Sequence, residues 1–391
     1  MRREDIAADR QAFLAPAPGY PHVLALVAPP TPRALPHSRS HDVIVADAHA
    51  ALGRLQGAIA HIPNADMVTR TLARREAVSS SQIEGTQSDL AQLLAYEATQ
   101  AAGNLPADVR ITARYVVALQ HGLDRVRARG RAAIDLMLVD ELHAQLMGDE
   151  PASAHAGRYR QTQVWIGSGR RIEDARFVPA PPAEIARCMR EMESGILQYA
   201  PRQDEQTSLS LVAQLAIAHV QFETIHPYLD GNGRVGRLLL PLLLAAEGHP
   251  PLYLSGALLR ARREYYEALS AVQLRGDWSP WLALLGNAVI ESCDESIAIA
   301  RDLLALAERW ESQLSTRRAK SAARRLPRFL IGHPVLSVSQ AAAGLGLSIQ
   351  ATNMACNGLL DAGILRLLDE RKRNRIFIAA EVLERLDRAP S

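Results

Sequence analysis

Apolar residues recur at helical spacing through most of the chain, so the pattern predicts a mainly α protein. The predicted helices cover residues 44–60, 65 to just before 79, 106–129, 134–147, 182–197, 207–225, 260–273 and 282–314. His121 and His143 lie in these helices, and neither has a second metal ligand or base at a characteristic spacing, so we expect both to be structural. Residues 1–42 contain seven prolines, which exclude long helices and indicate either an extended arm laid over the body or a disordered one.

A short stretch in the middle of the chain departs from the helical pattern. Thr162, Val164 and Ile166 occupy every second position, and residues 175–178 form a second extended piece after a glycine-containing bend. This spacing around a bend is typical of a β-hairpin. The sequence therefore predicts one small hairpin in a helical body.

The C-terminal part shows another order of elements. Residues 337–343 and 348–362 have the spacing of two short helices around a glycine turn, and residues 364–368 and 376–378 that of two strands. From Arg317 onward there are 13 Lys/Arg against 6 Asp/Glu, a net charge of +7, while the remainder carries −5. This order, with a basic loop between the strands, predicts a winged helix-turn-helix.

The length of 391 residues predicts more than one domain. We expect an N-terminal arm with helices in residues 1–105, a central core in residues 106–316 and the winged helix-turn-helix in residues 317–391. Three widely spaced cysteines form neither a metal-ligand pattern nor a disulfide framework, which is typical of a reducing compartment. The chain shows no signal-peptide pattern and no apolar run long enough for a membrane, so we expect a cytoplasmic protein without a membrane partner.

The twelve residues from His226 to Arg237 concentrate chemistry that few structural roles require. They read HPYLDGNGRVGR and lie between two strongly apolar helical runs, which would hold the loop rigid. Gly231, Gly233 and Gly236 let a ligand approach the backbone, and a glycine-rich turn that opens a helix aims free N–H groups at an anion. Phosphate is the ligand that we expect there.

Four side chains around this turn suit phosphate chemistry. Arg234 and Arg237 share a face of the following helix and can bind separate phosphates. Asp230 can hold Mg²⁺, and His226 can take a proton from an attacking hydroxyl. Taken singly, the histidine is compatible with a helix cap and the Asp-Gly-Asn-Gly run with an ordinary turn. We expect His219 to support His226 indirectly rather than to share a metal with it.

The stretch resembles the signature of the Fic family, His-Pro-Phe-x-(Asp/Glu)-Gly-Asn-Gly-Arg-x-x-Arg, and departs from it only at Tyr228, where the family has phenylalanine. The resemblance implies a helical Fic core that transfers AMP from ATP to a Ser, Thr or Tyr hydroxyl of a protein, or of the chain itself, with diphosphate leaving. It implies His226 as the base, Asp230 as the Mg²⁺ ligand and Arg237 as the ligand of the γ-phosphate. The remaining phosphate contacts are implied for Gly231, Asn232, Gly233, Arg234 and Gly236.

Two further segments resemble parts of the same family. The predicted hairpin is similar to the flap, which closes over the nucleotide and holds a target segment by strand addition. The resemblance implies that the flap residues at the ATP site are Ile166, Gly167, Ser168 and Gly169. It also implies that Tyr265 and Tyr266 lie beside the adenine.

The segment from Ser79 to Gly85 carries another candidate motif. Ser80 and Glu84 are four residues apart, as on one face of a helix, and Gly85 permits close backbone contact. The segment resembles the inhibitory motif (Ser/Thr)-x-x-x-Glu-(Gly/Asn) of the Fic family. The resemblance implies that Glu84 pairs with Arg237 and denies it to the γ-phosphate, whereas a helix cap is the alternative interpretation.

Other functions are compatible with the sequence. The predicted winged helix could bind DNA through its basic hairpin, or serve in homodimerisation or another protein contact, and residues 348–362 contain no lysine or arginine to read a groove. One alternative to the enzyme is therefore a DNA-binding regulator whose Fic core senses a nucleotide. The other is removal of AMP from a modified protein by the same site, with Glu84 positioning water.

Overall fold

Helices form most of the chain in the computed structural model, which confirms the predicted mainly α class. The structure describes residues 3–36, 38–62, 65–99, 106–148, 154–167, 169–203, 205, 208–314, 322–368 and 375–387. Its α-helices are α1 (Arg39–Ala60), α2 (Ala65–Ile83), α3 (Leu90–Thr99), α4 (Ala107–Arg129), α5 (Leu136–Met147), α6 (Pro182–Met192), α7 (Leu211–Ile225), α8 (Asn232–Ala246), α9 (Ser255–Arg260), α10 (Arg262–Arg275), α11 (Ser279–Gln313), α12 (Ala322–Gly332), α13 (Val338–Leu345), α14 (Ile349–Asp361) and α15 (Ala380–Asp387). None of the helices in these ranges is both long and apolar enough to cross a membrane.

The chain forms two compact units, each made of two separate segments. The first unit consists of Met1–Arg54 and Val117–Ser292, and the second of Leu55–Val116 and Cys293–Ser391. The three consecutive domains expected from the sequence stay a prediction.

The core of the first unit is built around α7. All fifteen residues of this helix are buried, as expected of a helix that is apolar on every side. It packs against α6, α8 and α10, and the indole of Trp281 donates to the carbonyl of Ala216 at 3.1 Å. The following helix, α8, is buried from Arg234 to Leu244. The loop between α7 and α8 is therefore fixed at both ends.

The proline-rich arm contains an ordered hairpin of β1 (Leu14–Ala17) and β2 (Tyr20–Leu26), which the sequence analysis did not predict. Its inner face shares a buried apolar cluster with Ile172, Ala175 and Val178. The N–H of Leu26 also donates to the carbonyl of Val178 at 2.9 Å. This part of the arm is thus laid over the body as an extended structure.

The predicted central hairpin is reduced to a single antiparallel bridge between Ile166 and Phe177. The N–H of Ile166 donates to the carbonyl of Phe177, and the N–H of Arg176 donates to that of Ile166, both at 2.8 Å. The ladder stops here because Pro179 has no N–H to donate and Gly167 has a φ of 145°, outside the strand region. The flap segment is therefore a bent loop rather than two regular strands.

In the second unit, α2 is longer than predicted. The helix was expected to end before Ser79 but continues to Ile83, and Ser79, Ser80 and Ser81 are buried inside it. Gly85 follows with a φ of 97°, a left-handed conformation that terminates the helix. Glu84 is the first residue after the helix end, and its N–H still donates to the carbonyl of Ser81 at 3.0 Å. The expectation that its side chain shares a face with Ser80 stays a prediction.

The C-terminal part of this unit contains a three-stranded antiparallel sheet beside α13 and α14. Its strands are β3 (Val335–Ser337), β4 (Arg366–Leu367) and β5 (Ile376–Ile378), in the order β3-β5-β4. The helices and the last two strands follow the predicted sequence of elements. The basic loop expected between those strands falls on residues 369–374, outside the described residues. Membership of the winged-helix class stays a prediction.

Candidate functional site

The turn between α7 and α8 has an unusual backbone. His226 ends α7 with a φ of 50°, and it is the only non-glycine residue with positive φ among those described. Such conformations generally cost about 1–3 kcal/mol and persist where the surroundings impose them. Gly231 precedes α8 with a φ of 78°, and a Cβ there would lie 3.2 Å from the sulfur of Met147. The turn thus places the imidazole at the end of one buried helix and free N–H groups at the start of the next.

The strained turn is held by Arg160, whose side chain is buried. Its Nε donates to the carbonyl of His226, and its backbone N–H donates to that of Pro227, both at 2.9 Å. The guanidinium also donates to the carbonyls of Ala180 at 2.5 Å and Thr162 at 3.0 Å. Burial lowers the pKa of Arg160 to about 10. Arg160 therefore ties the histidine turn to both ends of the flap segment.

Asn232 closes the loop on itself. Its Oδ1 accepts from the N–H of Tyr228 at 2.9 Å, and its Nδ2 donates to the carbonyl of the same residue at 2.8 Å. The side chain is buried, so both bonds are shielded from water. The amide of Asn232 is therefore engaged in shaping the turn between α7 and α8. The N–H groups in the first turn of α8 remain for a ligand.

Tyr228, the departure from the family signature, lies on His143. The rings stack with centroids 3.7 Å apart, and the Tyr228 hydroxyl donates to Asp140 Oδ1 at 2.6 Å. His143 Nδ1 accepts from the N–H of Gly157 at 2.8 Å, so Nε2 carries the proton and donates to the carbonyl of Asp230 at 3.0 Å. Burial lowers the pKa of His143 to about 4, which keeps the ring neutral. The structural role expected for His143 is thus a specific one, because it holds the loop at Asp230.

The start of α8 can bind an anion. The helix has no side-chain cap at its N-terminus, so its first N–H groups point outward with the positive end of the helix dipole. Arg234 follows in the first turn and is buried, and its Nε makes no hydrogen bond with any described residue. A buried guanidinium N–H without an acceptor is costly. An oxyanion placed at this helix end would satisfy both groups.

Asp230 is the residue nearest to this helix end that could hold a cation. Its side chain is 71% exposed, and Oδ2 lies 3.7 Å from the guanidinium of Arg234. Oδ1 accepts from the N–H of Gly231 at 2.6 Å. In the described ranges, three His, Cys, Asp or Glu side chains nowhere converge to hold a metal by themselves. Mg²⁺ commonly uses one carboxylate together with water and substrate phosphates, and the open carboxylate of Asp230 fits that arrangement.

Arg237, three residues after Arg234 in α8, is buried with an exposed fraction of 1%, and its charge reaches His219 of α7. His219 shares a hydrogen bond of 2.7 Å with the Tyr265 hydroxyl and stacks on Trp281. Tyr265 is buried in this cluster, whereas Tyr266 is partly exposed beside the guanidinium of Arg176. If the tyrosine pair meets the adenine as predicted, Tyr266 is the ring that a base can reach.

Two segments of the chain match models of a known protein family. Residues 44–124 match the N-terminal model of the Fic/DOC family, and residues 133–244, which include the whole turn, match the Fic/DOC family model. The chain belongs to the Fic/DOC family.

Curated Fic relatives match this protein over part of their length. Protein adenylyltransferase fic-1 of Caenorhabditis elegans is 33% identical over 143 residues, which are 36% of this chain and 24% of that protein. Protein adenylyltransferase Fic of Drosophila grimshawi is 30% identical over 171 residues, 44% of this chain and 32% of that protein. The chain therefore spans about a quarter to a third of the length of these two relatives.

Solved Fic structures share the fold. A Fic family protein from Desulfovibrio desulfuricans G20 superposes with a TM-score of 0.54 at 19% identity, covering 90% of this chain and 98% of that one. A fragment of Fic-1 from Caenorhabditis elegans gives a TM-score of 0.52 at 21% identity, covering 67% and 73%. At these identities the likeness shows the fold alone.

The predicted flap is bent at its glycines. A Cβ on Gly167 would lie 2.9 Å from the backbone nitrogen of Arg176, and one on Gly169 would lie 2.6 Å from Cβ of Asp174. The bend therefore excludes larger residues at both positions. Ile166 forms the bridge across the flap, and Ser168 lies outside the described residues. The contact of these residues with ATP stays a prediction.

The segment that resembles the inhibitory motif lies in the second unit. Ser80 is buried in α2, Glu84 is exposed beyond the helix end, and Gly85 has the positive φ described above. Arg237 belongs to the first unit. The pairing of Glu84 with Arg237 stays a prediction.

Several residues that hold the Fic turn were missed in the sequence. Asp140 and Arg160 reach it from α5 and from the segment before the flap. The bonds of Arg160 go to backbone carbonyls, which every residue possesses, so no spacing could have indicated its partners. The hydroxyl of Tyr228 in place of the family phenylalanine was a usable signal, because a buried hydroxyl requires an acceptor elsewhere in the chain.

Proposed function

We propose that this Fic protein transfers AMP from ATP to a Ser, Thr or Tyr hydroxyl of a protein, or of the chain itself. The observation that carries the proposal is the combination of the buried, unpartnered Nε of Arg234 with the uncapped N-terminus of α8. An anion would satisfy both groups, and they follow the turn that begins with the His226 imidazole. The relatives that are named protein adenylyltransferases support the same chemistry.

We assign a role to each residue of the site from its position in the turn, in α8 or in the flap segment. The turn at residues 231–234 would bind the α- and β-phosphates through the N–H groups of residues 232–234 and the guanidinium of Arg234, with Gly236 and the closed amide of Asn232 keeping the turn narrow. Arg237, deeper in the same helix, would take the γ-phosphate. Tyr266 would lie against the adenine, and the loop at Ile166 to Gly169 would border the nucleotide and present an open edge to the target segment.

In the reaction, the target hydroxyl attacks the α-phosphorus. His226 accepts the hydroxyl proton, the new bond to the α-phosphorus forms, and the bond from that phosphorus to the bridging oxygen breaks, so that diphosphate leaves. The α8 N-terminus stabilises the charge on the α-phosphate as the bond forms. The fixed turn contributes by holding the imidazole and the phosphate site at constant separation.

Asp230 would hold Mg²⁺ beside the phosphates, where the ion would neutralise phosphate charge. Its carboxylate is open to solvent and already oriented by the N–H of Gly231. We expect nucleotide binding and Mg²⁺ binding to depend on each other, because Asp230 alone supplies few ligands.

We further propose that the site is inhibited at rest, with Glu84 claiming Arg237. The support is the match of Ser80, Glu84 and Gly85 to the inhibitory motif. Cys188, Cys293 and Cys356 are buried cysteines, which agrees with the proposed cytoplasmic location.

Intact-mass measurement of the full chain after incubation with ATP and Mg²⁺ tests the enzyme. We expect addition of one or more adenylyl groups, at a higher rate for Glu84→Gly than for the wild type, and none for His226→Ala or Arg234→Gln. His226→Ala should still bind ATP, which equilibrium dialysis would show. Absence of any addition in both wild type and Glu84→Gly, on the chain and on added proteins of a cell lysate, would contradict the proposal.

The DNA-binding alternative is disfavoured by the surface of α14. The guanidinium of Arg375 donates to Asn353 at 2.7 Å and to Asn357 at 2.8 Å, so these groups are engaged with each other. Ile349 and Met354 are 57% and 67% exposed, which suits a protein contact, including a homodimer, better than a groove. A gel shift of the full chain on a random duplex tests this alternative, with retardation at physiological salt supporting a regulator.

Removal of AMP by the same site is a second alternative, in which water positioned by Glu84 attacks the phosphorus of the modified hydroxyl, the bond from that phosphorus to the protein oxygen breaks, and AMP leaves while the hydroxyl is restored. Incubation of an AMP-modified chain with wild type and with Glu84→Gly distinguishes the two directions. Faster loss of AMP with the wild type would support removal with Glu84 positioning water.

A further inference from the structure

Glu223 is a buried carboxylate directly behind the candidate base. It lies in the last turn of α7, three residues before His226, with an exposed fraction of 7%. A Cβ on Gly236 of α8 would lie 2.9 Å from Glu223 Oε1. Gly236, which fills a variable position of the signature, therefore leaves the room that Glu223 occupies between the two helices.

The carboxylate is kept ionised by its neighbours. Burial opposes its charge, but the adjacent imidazoles of His226 and His219 and the guanidinium of Arg237 exceed that effect and keep the pKa of Glu223 below its ordinary range. These are the titratable and charged groups that face it, from α7, from the turn and from α8. Burial lowers the pKa of His219, so that ring is neutral.

The surroundings of Glu223 do not fill all the hydrogen-bond acceptor positions of its carboxylate, as a purely structural role would require. Its Oε1 is buried and makes no hydrogen bond within the part of the chain that the structure describes. A buried charge that only stabilised the fold would be expected to have all its acceptor positions filled, since desolvation costs several kcal/mol per ion in general. A buried charge that is retained at such a cost is typical of a functional site.

The geometry connects this charge to the imidazole. Glu223 Oε2 lies 3.7 Å from His226 Nδ1, and Nδ1 is itself buried without a hydrogen-bond partner among the described residues. Separations of this kind commonly shorten to hydrogen bonds once a substrate is bound. A proton on Nδ1 directed at Glu223 leaves Nε2 unprotonated, and Nε2 is then the nitrogen that can accept the proton of a target hydroxyl.

We propose that Glu223 is a positioning residue for His226, which fixes the Nδ1–H tautomer and stabilises the imidazolium formed when the base takes its proton. The inference rests on the proposed AMP transfer for its catalytic consequence. Its structural part, the tautomer, does not depend on that reaction. A role limited to bracing Arg237 would instead affect ATP binding and leave the base unchanged.

Kinetics of Glu223→Gln test the charge. The variant keeps the shape and an acceptor for Nδ1–H but removes the carboxylate charge, so we expect kcat to fall about 10- to 100-fold with little change in KM for ATP. The acidic limb of the pH–rate profile should move to lower pH, because the protonated imidazole loses a favourable interaction. Glu223→Asp should recover part of the rate. Thr224→Val is the matched control, since Thr224 is also buried on α7 and bonds only within that helix, to Val220.

A measurement that needs no activity tests the tautomer. In ¹⁵N NMR of histidine-labelled full chain above neutral pH, assigned with His226→Gln, we expect the Nδ1–H form of His226 in the wild type and loss of that preference in Glu223→Ala. An unchanged tautomer in Glu223→Ala with a retained melting temperature overturns the inference. So does an unchanged rate and pH profile in Glu223→Gln.

Failure of the proposed AMP transfer can be distinguished from failure of the positioning role of Glu223. If neither wild type nor Glu84→Gly transfers AMP, the proposed function fails, and the NMR result alone decides whether Glu223 orients His226. If transfer occurs and Glu223→Gln raises only KM for ATP, Glu223 braces Arg237 and the positioning role is excluded.

Discussion

Acidification from pH 7 to pH 5 should destabilise this protein through His143, and His143→Phe should remove that part of the pH dependence. Burial lowers the pKa of His143 to about 4 from an ordinary value of 6.5. Between these values the unfolded chain binds a proton at this position and the folded chain does not. Falling pH therefore favours unfolding, and the stability is fully present only above the unfolded value.

The size of this loss of stability follows from the difference between the pKa of His143 in the folded and in the unfolded chain. One pKa unit corresponds to about 1.4 kcal/mol, so at pH 5 the proton taken up by the unfolded chain lowers the free energy of unfolding by about 2 kcal/mol. A typical domain has about 5–15 kcal/mol in total. His143→Phe keeps an aromatic ring on Tyr228 but leaves the N–H of Gly157 and the carbonyl of Asp230 without partners, at a cost of about 1–3 kcal/mol at pH 7.

Urea unfolding of wild type and His143→Phe at pH 7, 6 and 5 measures the effect, with constant slope m as the condition for comparing midpoints. The stability advantage of the wild type should be largest at pH 7 and smaller by about 2 kcal/mol at pH 5. Burial also lowers the pKa of His333 to about 4, but this residue is present in both proteins and cancels. A difference that stays constant from pH 7 to pH 5 would refute the reasoning.

Three further substitutions test how the turn is held. Tyr228→Phe restores the family residue and should cost about 1–2 kcal/mol in urea unfolding, because a hydrogen bond to a half-buried carboxylate is lost, while AMP transfer is retained. Gly231→Ala should cost about 1–3 kcal/mol and reduce AMP transfer, whereas Gly19→Ala, with a similar φ of 80° but no atom within 4 Å of the added Cβ, should leave transfer unchanged. Arg160→Gln should lower both melting temperature and transfer rate, and Arg158→Gln, at an exposed neighbour, should change neither.

The helices were predictable because their apolar spacing is a local property of the sequence. The chemistry of the turn was likewise readable, since His226, Asp230 and Arg234 lie within nine residues of one another. Comparisons with Fic proteins then confirmed the family. The end of α2 was not predictable in this way, because the serines that look like a cap in the sequence are buried inside the helix.

The partners of the turn could not be predicted for a different reason. Asp140 is separated by 88 residues from Tyr228, and Arg160 by 66 from His226. Neither separation follows from a period or a motif, and the acceptors of Arg160 are carbonyls. Only the fold brings these groups together, so the sequence could indicate candidate reactive residues but not the groups that keep them in place.

The position of Arg160 has a consequence for the flap. A buried guanidinium bonded to the carbonyls of His226, Thr162 and Ala180 cannot release one of them without leaving a donor or an acceptor unpaired, at about 1–3 kcal/mol. A displacement at either end of the flap segment must therefore move the guanidinium, and with it the strained turn that carries the imidazole. We expect the flap and the base to respond together when a target segment binds, because the same side chain fixes both.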